Sequence, residues 1–119
     1  MVEDDTVAAI ELECILEDLG HRVTVVAVSP GAALARLDAE AHDIDAVIFG
    51  AMLVRLPPYG LAREVAKRGL PAAISSQYPE PFVRVLGFDL PYLPKPFRRG
   101  DVAALLRRLD MPEVAPAAA

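Results

Sequence analysis

Three consecutive acids, Glu3-Asp4-Asp5, a hydroxyl at Ser76 behind an apolar run, and Lys95 held between Pro94 and Pro96 are the residues of this chain best suited to chemistry. Neighbouring carboxylates either hold a hard cation through oxygen or have their repulsion relieved by a lysine. Glu3 and Asp4 are the candidate metal ligands, weak ones, because two carboxylates alone make a poor site for Mg²⁺. Asp5 belongs to the same acidic pocket but is better placed as the N-cap of the helix that follows. Lys95 is the natural counter-ion for Glu3 or Asp4. Ser76 either hydrogen-bonds an anion or simply ends a strand. The lone cysteine, Cys14, lies among Ile10, Leu12, Ile15 and Leu16 and reads as a small core residue. His21 and His42 fall at element boundaries without the spacing of a metal pair.

These residues need a scaffold, and 119 residues provide one domain with a single core. Lys and Arg number 12 against 17 Asp and Glu, a net charge of −5, and there is no clustered basic stripe, which argues against nucleic-acid binding. A mean hydropathy of +0.33 points to a folded chain. No apolar stretch approaches the roughly 20 residues that cross a bilayer, and no basic segment precedes an apolar one as in a secretory signal. A cytoplasmic protein without membrane contact is expected.

Along the chain, Val2 is a stub of strand, and apolar residues recur at helical spacing from Ala8 to Leu19 before Gly20. Arg22 to Val28 is short and β-branched. Ser29 and Pro30 then open a helix to Ala39. The wholly apolar Ala46-Val47-Ile48-Phe49 suits a strand buried on both faces. A Pro-rich loop, a helical stretch from Gly60 to Arg68 and a strand from Pro71 to Ser76 follow. Phe82 to Leu86 is at most a short helix, Pro91-Tyr92-Leu93 a last stub of strand, and Asp101 to Leu109 an amphipathic helix. Residues 1–110 form the domain, and 111–119 are expected to be a disordered tail. Strands alternating with helices imply right-handed crossovers and a parallel sheet covered on both faces, with function at the carboxyl ends of the strands.

An acidic turn after the first strand, a hydroxyl after the fourth and a Lys-Pro pair after the fifth resemble the pattern of a response-regulator receiver domain. Val2-Glu3-Asp4-Asp5 resembles that family's metal-binding turn, Ile74-Ser75-Ser76-Gln77-Tyr78 the end of its fourth strand, and Leu93-Pro94-Lys95-Pro96-Phe97 its lysine loop. Glu17 to His21 and Phe97-Arg98-Arg99 are also similar to receiver sequence. The resemblance spans nearly the whole chain. It implies a flavodoxin-like α/β/α sandwich whose five parallel strands run in the order 2-1-3-4-5.

In the family, an aspartate at the end of the third strand accepts a phosphoryl group from a histidine kinase, with Mg²⁺ held by that aspartate and the acidic pair. The matching position here is Gly50. Glycine has nothing to phosphorylate, and Asp45 lies at the far end of the strand, roughly 16 Å away at about 3.3 Å per residue. The resemblance therefore implies a degenerate pseudo-receiver, neither enzyme nor phospho-acceptor, with no cofactor beyond weak Mg²⁺. Two alternatives are a small-ligand or anion sensor using the vacant pocket around Lys95 and Ser76, and phosphorylation at Asp4 or Asp5 instead. The 26 positions from Gly50 to Ser76 and the prolines at 79, 81 and 91 leave the third and fourth helices shorter than the family's. The first strand is nearly missing, through truncation or a start assigned too late.

The family signals through its fourth helix, fifth strand and fifth helix, where Tyr92 matches an aromatic that rotates between states. Tyr78, Phe82, Phe88, Tyr92 and Leu93 are therefore the expected partner surface, aromatics being favoured at interfaces. For Phe82 and Phe88, packing under a short helix is the competing role. The expected partner is a protein, such as a histidine kinase or another signalling protein, with a homodimer also admissible.

Overall fold

The computed structural model describes residues 1–111, so the expectation of a disordered tail falls, apart from Met111, outside the described residues. Met111 itself is not tail-like: its N–H donates to Leu106 O at 2.7 Å and its side chain packs on the core.

The elements run α1 (Thr6–Asp18), α2 (Pro30–Ala39), a 3-10 turn (Ala41–Asp43), β1 (Val47–Gly50), α3 (Tyr59–Lys67), β2 (Ala72–Ser76), α4 (Glu80–Val85), β3 (Tyr92–Pro94) and α5 (Arg99–Arg108). Local chemistry sets their ends. Asp5 caps α1 by accepting from the N–H groups of Val7 and Ala8 at 3.0 and 3.3 Å. Gly20, at φ 88°, takes the left-handed turn beyond α1, where His21 N–H closes onto Leu16 O. Ser29 Oγ accepts from Ala32 N–H, and Pro30 supplies the preset first residue of α2.

The sheet is α/β and parallel, ordered β1-β2-β3, with Phe49 opposite Ile74 and Ile74 opposite Tyr92. Here the expectation of five strands needs correction. The first two are reduced to single-residue bridges, Val2 pairing in parallel with both Ala27 and Phe49. The order 2-1-3-4-5 survives in that row, with Arg22–Val28 joined to it only through Met1 to Glu3 among the described residues. Its bonds are few: Val25 O accepts from the Met1 amino group at 2.7 Å, Ala27 N–H donates to Met1 O, and Ala27 O accepts from Glu3 N–H.

Both sheet faces are covered, as a parallel sheet requires. Val47, Phe49, Ala72 and Ile74 face α2, α3 and α4 through Leu37, Leu61, Val65 and Val83. Ile48, Ala73 and Leu93 face α1 and α5 through Leu12, Leu16, Val102, Leu105 and Leu106. The alternation along each strand is the period of two that pleating imposes. On α1 the same geometry exposes Cys14, correcting its expected place in the core. Leu12, Leu16 and Leu19 take the inward stripe, and a residue two positions from Leu12 points to the opposite side. Ile10 is exposed for the same reason. The third and fourth helices are short, 9 and 6 residues.

Candidate functional site

The carboxyl ends of the stub, β1 and β2 and the segment after β3 meet at an open cleft of about 460 Å³, lined among others by Asp4, Asp5, Gly50, Ser75, Ser76 and Lys95. The three consecutive carboxylates have separate jobs. Glu3 is 3% exposed; its Oε1 pairs with the Lys95 ammonium, and its Oε2 accepts from Asp5 N–H at 3.1 Å. Asp4 turns outward and accepts from Val54 N–H at 3.1 Å. Asp5 is spent on the cap of α1.

Lys95 is positioned through its backbone, whose N–H donates to Ser76 O at 2.9 Å, and its peptide bond to Pro96 is cis. The ammonium also lies 6.0 Å from the Phe97 ring centre, within cation–π range. Ser76 Oγ accepts from Tyr78 N–H at 2.9 Å and so closes the turn after β2, which leaves its proton free to donate.

Gly50 is buried at the end of β1, and its surroundings are the part the sequence did not announce. A Cβ on Gly50 would lie 3.1 Å from Leu53 Cδ2. Leu53, 1% exposed, thus crowds the place where a side chain at position 50 would start, and would have to shift by a few tenths of an ångström to admit one. It is carried by a tight hairpin in which Leu53 N–H donates to Leu56 O at 2.8 Å and Leu56 N–H to Leu53 O at 3.1 Å. The central residues, Val54 and Arg55, have φ of 51° and 67°. Two successive positive φ values are the mark of a type I′ turn, which favours Asn and Gly. Leu-Val-Arg-Leu carries neither, so no turn signal was available. Arg55, at the tip, joins the cleft lining.

Such a cleft would suit Mg²⁺ if three carboxylates converged on it. They do not: Glu3 is taken by Lys95, Asp4 by a backbone N–H, and position 50 has no carboxylate, so the donor set does not fit the ion. Among the described residues, no group of three or more His, Cys, Asp or Glu is placed to hold a metal ion.

The expected partner surface divides. Phe88 and Leu93 are withdrawn from it, at 4% and 0% exposure. Phe88 packs edge-on against Phe49 at 6.1 Å and stacks on Tyr59 at 5.2 Å, and Leu93 lies under α5. Phe82, by contrast, is not packed away beneath its helix; it is 40% exposed, its ring 4.8 Å from that of Tyr78. Tyr92 is half-buried, and its hydroxyl donates to Tyr78 O at 2.5 Å. Of the expected set, Tyr78, Phe82 and Tyr92 remain together at the surface.

No family model and no curated protein sequence matches the chain. Solved structures do. SdrG from Sphingomonas melonis Fr1 is 29% identical over 91% of each chain, with a TM-score of 0.74. A CheY-like receiver domain protein from Methanospirillum hungatei JF-1 is 25% identical, covering 92% of this chain and 90% of that one, at 0.74. The PhyR response regulator REC domain of Erythrobacter litoralis is 21% identical, covering 100% and 93%, at 0.76. This chain has the response-regulator receiver fold.

In this fold, burial and then the charge of Glu80 raise the Tyr92 phenol above the ordinary tyrosine value of 10.0. A phenol that holds its proton more tightly when folded stabilises the fold at neutral pH. That contribution falls away as pH rises past the unfolded value. In an absorbance titration a tyrosine step above the ordinary value is expected, and Tyr92→Phe is expected to abolish that late step. A late step that survives the substitution would assign the shift elsewhere.

Proposed function

We propose that the chain is a receiver-type signalling module that acts by protein-protein contact and without phosphorylation of its own, as neither an enzyme nor a metal-dependent switch. One observation carries the reading: the position that matches the family's acceptor is a glycine, with Leu53 packed close against it. A phosphoryl group needs a nucleophilic oxygen there, and glycine has no side chain to supply one. The pairing of Glu3 with Lys95 supports it too, because the lysine that would reach a phosphoryl group is already engaged.

The contact surface is the half-exposed Tyr78 and Phe82 beside Tyr92, aromatic rings of the kind interfaces favour, two of them with a polar hydroxyl. The partner is a histidine kinase or another signalling protein, in the cytoplasm, rather than nucleic acid, which a net charge of −5 repels, or a membrane, which no described helix is long and apolar enough to cross.

Incubation with acetyl phosphate, or with a promiscuous histidine kinase and ATP, is expected to leave the intact mass unchanged. A stoichiometric gain of one phosphate mapped to Asp4, Asp5 or any other cleft residue would overturn the proposal. The open cleft, with Arg55 at its wall and a donating hydroxyl at Ser76, favours one second reading, an anion sensor. That reading requires inorganic phosphate to raise the melting temperature of the unmodified protein.

A further inference from the structure

Leu53 packs hard against Gly50, yet the hairpin that delivers it is opposed by its own backbone. Val54 is β-branched and Arg55 bulky, and both are held at positive φ, where such residues rarely sit. Val54 and Leu56 gain little from burial, being 61% and 69% exposed. What keeps the hairpin shut is short: the seat of Leu53 against Gly50, the two Leu53–Leu56 backbone bonds, and the bond from Val54 N–H to Asp4. A strained segment kept closed by one buried side chain and a few bonds is drawn from the low-stability end of a fold.

The seat is also wired to the surface. Ala51 N–H, two residues before Leu53, donates to Ser75 O at 2.8 Å at the end of β2. The next residue, Ser76, accepts from Tyr78 N–H, and Tyr78 O accepts from the Tyr92 hydroxyl. The three hydrogen bonds are joined to one another by steps of one or two residues along the chain, so a shift at the hairpin has a continuous route to the exposed aromatics.

We propose that the Leu53–Leu56 hairpin is a built-in plug of the acceptor site, and that its seating, transmitted through Ser75, Ser76 and Tyr78, sets the position of Tyr92. The plug thereby does by packing what a phosphoryl group does by charge in a receiver that has the aspartate. This rests on the phosphorylation-independent reading only for what the set state means; the plug and its coupling stand on geometry alone.

Two variants of the full chain, followed by amide exchange and NMR, test it. Val54→Asn with Arg55→Gly places residues that accept positive φ without strain at the tip while keeping Leu53. It is expected to raise the melting temperature by several degrees and to slow exchange at the Leu53 and Leu56 amides about tenfold. Leu53→Ala is expected to speed the same amides about tenfold and to move the Tyr78 amide and Tyr92 ring resonances. If the double variant is no more stable and no better protected than the native chain, the strained plug is refuted. If resonance changes in Leu53→Ala stop at residues 50–56, the coupling to Tyr92 is refuted. Should Leu53→Ala fail to fold, the double variant decides the coupling, since a more firmly seated plug must still move the Tyr92 ring resonances. None of these readouts uses phosphate, so a phosphorylated wild-type protein would sink the functional reading and leave the plug standing, and the reverse holds as well.

Discussion

Gly50→Asp lowers the melting temperature by an expected 10–20 °C, on the order of what an unpaired buried charge costs a domain of this size. The new Cβ would start 3.1 Å from Leu53 Cδ2, so the leucine has to give before the carboxylate fits at all. The charge would then sit near Glu3, already 3% exposed, with one ammonium to serve both acids. Like charges sharing one cation in a buried site cost several kcal/mol, about 3–5 by comparison with broken buried pairs. Millimolar Mg²⁺ is expected to restore part of the loss, because the third carboxylate completes the oxygen set that the native cleft lacks. Adding Leu53→Ala should widen the Mg²⁺ response by clearing the space. Thermal melting of the native chain and both variants, with and without Mg²⁺, reads all of this. A Gly50→Asp protein that melts like the native one and ignores Mg²⁺ would mean that position 50 does not face the acidic pocket.

Lys95→Met should be the second most damaging change. Methionine keeps much of the aliphatic stem and removes only the charge, so the effect isolates the pairing with Glu3. Glu3 Oε1 would then be a buried carboxylate oxygen without a cation, for which about 3 kcal/mol is a fair expectation, the lower end of the range because the lysine side chain itself keeps 20% exposure. The partner substitution separates charge from packing: Glu3→Gln in the Lys95→Met background should recover most of the loss, since an amide oxygen can still accept from Asp5 N–H and no orphan charge remains. Denaturant unfolding of the two single variants and the double variant gives the coupling directly. Additive single losses, with no recovery in the double variant, would show that the ion pair contributes little and that Lys95 is held by Phe97 and the backbone instead.

Much of this molecule was legible one residue at a time. The caps at Asp5 and Ser29, the turn at Gly20, the apolar strand at Val47 to Phe49 and the amphipathic last helix follow from local preferences that need no distant partner. The alternation of strand and helix set the parallel sheet, and its carboxyl ends told where Glu3, Asp4, Gly50, Ser76 and Lys95 would converge. That the position matching the family's acceptor carries no side chain was visible as a single letter, Gly50. What the letters could not supply was anything that depends on two segments meeting. Cys14 was misjudged because composition around a residue does not report which side of a helix it takes, and Phe88 and Leu93 because an aromatic or apolar residue near an interface motif can equally be the floor beneath it. The count of strands failed because a strand is defined by its neighbour, and the first two segments meet the sheet only through the single-residue bridges of Val2. Leu53 was invisible for the strongest reason: its hairpin runs against local turn preference, so only the tertiary gain of filling the space beside Gly50, aided by Asp4, explains why the chain folds there at all.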